Sequence, residues 1–274
     1  MKQLSVAEIR EKTLDMMDHI HAICEANGIQ YFLYYGTLIG AIRHNGFIPW
    51  DDDFDIAMKR EDYIKFCHVV SKEKHPYFKL CNRANTENYY YGIARYSDTR
   101  YKFISDIKEL KQAEMGIFID IYPLDYCGNS PEEAERIMKP CIKLNTDYII
   151  YMNRRSVQGG IRTLLRTPVH YLYRLKYGKG FSGKIDRMIY QGVKAKTSDQ
   201  DKLIGVLVWE STCWAFDKKL FEHAVLHRFE DREYLIPEGY DEILRMVYGD
   251  YMQLPPEEQR VPTHNYHIVE TEEM

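Results

Sequence analysis

Four aspartates fall within five positions of this chain: Asp51, Asp52, Asp53 and Asp55, directly after Pro49 and Trp50. Carboxylates this close repel one another unless something neutralises them. Apolar residues flank and interrupt the run, GFIPW before it and Phe54, Ile56 and Met58 within and after it. The fold must therefore hold dense negative charge against a hydrophobic core. From Asp53 to Met58 polar and apolar residues alternate, the period of a half-buried strand. On such a strand Asp53 and Asp55 share one face, about 7 Å apart at their Cα atoms. Phe54 and Ile56 take the other face.

Two carboxylates converging in this way suit a hard divalent cation, which prefers oxygen ligands and keeps room for substrate phosphates. A solvated acidic turn is the plainer alternative. Other aspartate motifs fit less well. An EF-hand loop needs glycine at its sixth position, where this chain has Ile56. Asp51, Asp52 and Asp55 match an Asp-Asp-x-x-Asp pattern that belongs on a helix, but Pro49 and the period of two indicate a strand. A phosphatase of the Asp-x-Asp type has no Gly-Thr turn just upstream. Asp120, in GIFIDIYPLD, is a lone charge between Ile119 and Ile121. Buried there, it must be paired or coordinated; the alternative is an edge strand with Asp120 in solvent. Asp53, Asp55 and Asp120 are therefore the candidate metal-binding and catalytic set. Asp125, beyond Pro123, reads as a loop cap.

Upstream, YYGTLIGAIRH reads as strand, Gly-Thr turn and helix. Gly36 allows close backbone approach and Thr37 can cap the helix. The N–H groups of a helix start form a natural phosphate site. Arg43, His44 and Arg95 are candidate cationic contacts to that phosphate.

The rest of the chain divides into an α/β front half and a mostly helical back half. Residues 6–27 carry apolar residues at helical spacing, and strands are expected at 29–35, 53–58, about 77–81, 91–96 and 101–104, and at 116–125, ended by Pro123. The expected division is 1–130 for a catalytic core and 131–274 for an acceptor-binding part whose tail returns to the active site. Helices are expected at 132–152 and 161–195, with a final helix in PEGYDEILRMVYGDYM and only one short strand run near 206–210. A net charge of -4 argues against a nucleic-acid partner. The amino end has no apolar signal-type core, no run approaches the roughly 20 apolar residues of a membrane span, and the six scattered cysteines read as free thiols of a reducing cytosol. From Arg154 to Arg187 there are nine Lys or Arg and one acid, Asp186, with tyrosines interleaved. Such a segment can lie on an anionic membrane surface or bind an anionic glycan precursor.

The run GTLIGAIRH-x-GFIPWDDD-x-DI closely resembles the signature of the LicD-type phosphocholine transferases, as do GIFIDIYPLD and the closing YGDYMQLPPEEQR. The resemblance covers the front half and the tail, and little of 130–235. It implies a nucleotidyltransferase-like mixed sheet with helices, an α+β arrangement. It also implies transfer of phosphocholine from CDP-choline to a sugar hydroxyl of a cell-surface glycan precursor, of teichoic acid or lipopolysaccharide type, with release of CMP. By the same resemblance Gly36 and Thr37 hold phosphates, while Asp53, Asp55 and Asp120 bind one or two Mg²⁺ or Mn²⁺ ions. Asp51 and Asp52 would orient ligands and waters. A lipid-linked acceptor would bring the chain to the inner face of the membrane.

Choline is a quaternary ammonium, and aromatic faces attract it. Trp50, Tyr89, Tyr90, Tyr91, Trp209 and Trp214 are the candidates. Near the tail, His264 and His267 follow Arg260 and are expected to close over the site. The competing readings are a metal-dependent nucleotide-sugar glycosyltransferase, a nucleotidyltransferase releasing pyrophosphate, and an inactive nucleotide-binding module.

Overall fold

The computed structural model describes residues 2–105, 113–153, 160–208, 214–261 and 266–271. Helix α1 (Val6–Asn27) opens on a capping box. Ser5 Oγ accepts the Glu8 N–H, the Glu8 carboxylate accepts the Ser5 N–H, and the helix ends on Gly28 in the left-handed region. Its buried stripe of Ile9, Leu14, Met17, Ile20, Ile23 and Cys24 packs into the core. Strand β1 (Phe32–Leu33) is only two residues long, and helix α2 (Tyr35–His44) begins immediately after it. Of the strand expected over 29–35 only Phe32–Leu33 forms, and Tyr35, at φ 42°, already opens the helix.

Strand β2 (Asp55–Lys59) runs directly into α3 (Arg60–Lys72). Strands β3 (Phe78–Cys81), β4 (Ala94–Asp98), β5 (Tyr101–Ser105) and β6 (Ile117–Tyr126) follow. Helices α4 (Pro131–Met152), α5 (Gly160–Tyr177) and α6 (Ile185–Lys194) come next. The back half then returns to strand: β7 (Leu203–Gly205), β8 (Ala215–Asp217), β9 (Ala224–Phe229) and β10 (Arg232–Pro237). Helix α7 (Tyr240–Tyr248) and β11 (Tyr266–Glu270) close the chain. None of these five late strands falls within the run expected near 206–210; β7 ends just before it. They are short, or interrupted by adjacent polar residues such as His227-Arg228 and Arg232-Glu233, so they lack a continuous apolar signal.

The main sheet has the order β1-β2-β6-β4-β3, with β7 continuing from the end of β6 and β8 from β7. β2 and β6 are parallel; every other pair is antiparallel. The class is therefore the expected mixed α/β. Pro123 does not end β6 but lies inside it, opposite Met58. Asp120 donates its N–H to Phe54 across the β2 ladder, 2.9 Å. By alternation Pro123 turns its nitrogen to the other edge, between the residues paired with β4 and those paired with β7. A proline there forfeits no ladder bond.

The late strands complete the front half. The β9–β10 hairpin presents Glu230, at φ 57°, to the loop after α2. Its N–H meets Asn45 O at 2.7 Å, and its Oε1 accepts the Phe47 N–H at 3.0 Å. Phe229 packs edge-on to Phe47 and Phe54. β11 pairs with β5 and bridges Gln3. One apolar core accordingly runs from Leu4 to Ile268, and a second, smaller one gathers α4, α6 and Leu207.

Gly40 shows why the helix α2 sequence is restrictive. A methyl group there would stand 2.4 Å from the carbonyl oxygen of Gly46, on backbone that the Glu230 tip holds in place. Gly40→Ala is expected to lower stability by about 1–3 kcal/mol, seen as a lower urea midpoint with an unchanged slope.

Candidate active site

The parallel ladder between β2 and β6 sets Asp55 directly opposite Asp120. Neighbouring strands lie about 4.8 Å apart, and paired residues present their side chains to the same face. Both aspartates are 5% exposed. Asp53 is half-buried and stands just ahead of β2 rather than in it. The phenol of Tyr122, two residues beyond Asp120, reports on all three acids. Burial first, then Asp55, Asp120 and Asp53, push its pKa well above the usual value.

The Gly-Thr pair lies inside the first turn of α2. Thr37 does not cap the helix; the capping position is Tyr34, whose side chain makes no capping bond. The buried Thr37 hydroxyl instead accepts the backbone N–H of Asp55 at 2.8 Å. It ties the helix start to the acid strand. Gly36 is needed for a different closeness, because a methyl group on it would meet Asp51 Oδ2 at 2.8 Å. The Asp51 carboxylate thus lies over the positive end of the α2 dipole, where negative charge is favoured. Arg10 of α1 secures this loop from below, donating to the carbonyls of Ile48, Pro49 and Asp51. No sequence signal marks Arg10, which lies more than thirty residues upstream of the carbonyls it binds.

Arg95 is placed differently from the expectation of a phosphate contact. It is buried on β4, opposite Asp120 in register. Its Nε donates to Asp120 Oδ1 at 2.5 Å and its Nη2 to Oδ2 at 3.2 Å. The guanidinium is sandwiched between the rings of Tyr91 and Phe118, 3.7 and 3.9 Å from the centroids. Burial lowers its pKa, but Asp120, Tyr91 and Tyr89 outweigh burial and raise it well above the ordinary value. Asp120 is therefore paired inside the sheet, not facing solvent from an edge. Asp125 is likewise no loop cap: it lies in β6, buried, in a two-pronged ion pair with Arg60 at 2.7 and 2.5 Å.

Arg43 and His44, at the end of α2, are joined by a bond from Arg43 Nε to His44 Nε2 of 3.0 Å. Arg43 also donates to the carbonyl of Tyr251 at 2.7 Å and so anchors the segment after α7. The half-buried Trp50 has His44 at its edge and the Arg260 guanidinium 5.8 Å from its ring centre. Beside it opens a cleft of about 430 Å³ lined by Ile39, Arg43, Trp50, Tyr251, Gln253 and Gln259. Of the other aromatic candidates, Tyr89 is core, with its hydroxyl on Ile93 O, and Tyr91 faces Arg95. Trp214 is half-buried against the core; Trp209 and His264 lie outside the described residues. His267 sits in β11 opposite Ile104. Among the described tail residues, Tyr266 lies close enough to the acids to feel them. Burial first, then Asp52 and Asp53, raise its phenol well above the usual pKa.

Among the described residues no three His, Cys, Asp or Glu side chains gather tightly enough to enclose a metal ion. A site of one or two carboxylates that leaves the remaining positions to waters and substrate phosphates is the ordinary arrangement for Mg²⁺. Asp53 and Asp55 fit that more open arrangement in charge and donor type, with Asp120 beside Asp55 and paired to Arg95.

The geometry coincides with a family match. Residues 28–139 match the model described as LicD/FKTN/FKRP, nucleotidyltransferase domain. The chain is 32% identical over 271 residues to the lipopolysaccharide cholinephosphotransferase LicD of Haemophilus influenzae, covering 96% of this chain and 97% of that protein. It is 43% identical over 44 residues to the human ribitol 5-phosphate transferase FKRP, 16% of this chain and 9% of that protein. An uncharacterised protein of Rickettsia typhi, RT0683, is 32% identical over 127 residues, 46% of this chain and 38% of its own.

Two outcomes follow from the charges. Arg95→Met strands the Asp120 carboxylate in the sheet and is expected to destabilise by about 3–5 kcal/mol; Arg95→Met with Asp120→Leu should recover most of that, measured by urea unfolding. Burial, and then the Arg43 charge, hold His44 below its ordinary 6.5. Its neutral ring thus contributes stability that is complete above pH 6.5 and is lost as pH falls through the lower folded value. By NMR, His44 is expected to titrate with a midpoint below 6.5, and His44→Gln to reduce the acid-side fall in melting temperature.

Proposed function

The chain belongs to the LicD family, and on that premise we propose that it transfers phosphocholine from CDP-choline to a sugar hydroxyl of a cell-surface glycan precursor, releasing CMP. It is an enzyme, a transferase. The observation that carries the proposal is the placing of Asp55 opposite Asp120 on adjacent parallel strands, with Thr37 fixing the first of them to the start of α2. The full-length similarity to a lipopolysaccharide cholinephosphotransferase supports phosphocholine as the transferred group. The shorter match to a ribitol 5-phosphate transferase supports a substituted phosphate as the class.

In the proposed reaction the acceptor hydroxyl attacks the phosphorus that bears choline. A new O–P bond forms, the bond to the CMP oxygen breaks, and the electron pair leaves with CMP. Asp53 and Asp55 would hold Mg²⁺ or Mn²⁺, which neutralises phosphate charge when bound. The hydroxyl proton would pass to Asp120, at Oδ2, whose bond from Arg95 is the longer of the two at 3.2 Å against 2.5 Å at Oδ1. The α2 start would receive the donor phosphates, with its own N–H dipoles offsetting part of their charge. Trp50 would receive the choline ammonium at the face that now meets Arg260, so the donor takes the place of one cation with another. The acceptor would be teichoic acid or lipopolysaccharide in type.

The test is CMP release from CDP-choline with a crude glycan extract. Wild type is expected to release CMP with Mg²⁺ and to stop with EDTA. Asp55→Asn should lower the rate about a hundredfold or more while keeping the thermal midpoint. CMP release unaffected by both EDTA and Asp55→Asn would remove the acid cluster from the chemistry. Turnover of UDP-sugars or CTP, with none of CDP-choline, would replace the donor assignment.

A further inference from the structure

Helix α5 is turned inside out relative to an ordinary surface helix. Leu164, Leu165, Leu172 and Leu175 are 73, 68, 63 and 81% exposed, and Tyr171 is 54% exposed. With the exposed Pro168 they occupy positions 164, 165, 168, 171, 172 and 175, the i, i+4, i+7, i+11 stripe of one helical face. The inward face is the polar one. His170 is buried, with Nδ1 2.9 Å from the Ile150 carbonyl, and Tyr177 donates its hydroxyl to the buried Asp147 at 2.6 Å. The Tyr177 ring also stacks on Phe181 at 4.0 Å. The polar side of α5 is thus fastened to α4, and the leucines have nowhere else to turn. Burying this face against the core would require breaking those bonds.

The charge around the stripe says what covers it. Arg162, Arg174 and Lys176 are exposed along its flanks, and Lys179 and Lys184 continue beyond it. From Gly160 to Ile185 there is no acid at all. A protein partner for so apolar a face would need no such excess of cations. A lipid bilayer with anionic headgroups uses both: leucines enter the acyl boundary while lysines and arginines meet phosphates.

We propose that α5 is a membrane-docking helix that lies in the plane of an anionic lipid surface, Leu164, Leu165, Leu172 and Leu175 inward. No helix among the described residues is long and apolar enough to cross a membrane, so the contact is in-plane. The proposal rests on α5 alone and stands whichever group is transferred. It also gives a lipid-borne acceptor a reason to meet this enzyme.

The experiment is co-sedimentation of the full chain with vesicles of phosphatidylcholine, with and without phosphatidylglycerol. Wild type is expected to bind the anionic vesicles, and binding should weaken sharply at high salt. Leu164→Ser/Leu172→Ser/Leu175→Ser should abolish binding with an unchanged melting temperature, since these side chains are already in water. Arg162→Gln/Arg174→Gln/Lys176→Gln should lower the partition coefficient about fivefold per charge. No wild-type binding to either vesicle overturns the proposal, and so does equal binding by the leucine variant. A concentration-dependent dimer that the leucine variant turns to monomer, without vesicle binding, assigns the face to a second copy and also overturns it.

Discussion

A carboxylate inside a sheet is unfavourable unless the surroundings answer it, and here two stand side by side across the β2–β6 ladder. Much of the surrounding structure can be derived from that. Arg95 is in register with Asp120 from the other side, so one strand carries the charge and its neighbour the countercharge. Two aromatic rings cover the guanidinium and keep water from weakening the pair. Asp51 is placed over the start of α2, and Arg10 fixes the loop that carries it. Asp120 thus meets a guanidinium, and Asp51 the positive end of a helix.

The same strand repeats the device five residues further on, on the other face of the sheet. Asp125 of β6 pairs with Arg60 at the start of α3. β6 is therefore a strand with buried acids near both ends, and Pro123 between them is tolerated because its nitrogen faces away from β2. A strand this long in the middle of the sheet can carry charge only because its neighbours are chosen residue by residue.

Much of this was legible in the sequence where a local rule applied. Alternation placed Asp55 and Ile56 on opposite faces, and the lone charge in GIFIDIYPLD marked Asp120. What stayed hidden depended on distant partners. Nothing near Arg95 says that it will face Asp120, since register is a property of two strands. Thr37 looked like a cap because caps are local, yet it serves a strand 18 residues on. The late strands were missed because they are short and β9 and β10 lack a period-two pattern, with His227-Arg228 and Arg232-Glu233 adjacent, and Tyr266 was missed because its approach to the acids comes through the β5–β11 pairing. The basic stretch that contains α5 read as a segment for an anionic surface, but which side of the helix faces in is shown by the buried His170 and the half-buried Tyr177.

The docking of the Glu230 tip on the loop after α2 bears on how the chain reaches this state. The contact joins residues 185 positions apart, from Asn45 to Glu230. Contacts of such separation form late, because a long loop must close before they repay its entropy. On a ribosome the aspartate loop emerges well before the Glu230 tip and waits, without that contact, until the intervening chain has been made. The order of synthesis therefore leaves the most highly charged loop as one of the last to acquire a fixed shape, and its own mutual repulsion helps keep it hydrated and out of aggregates in the meantime.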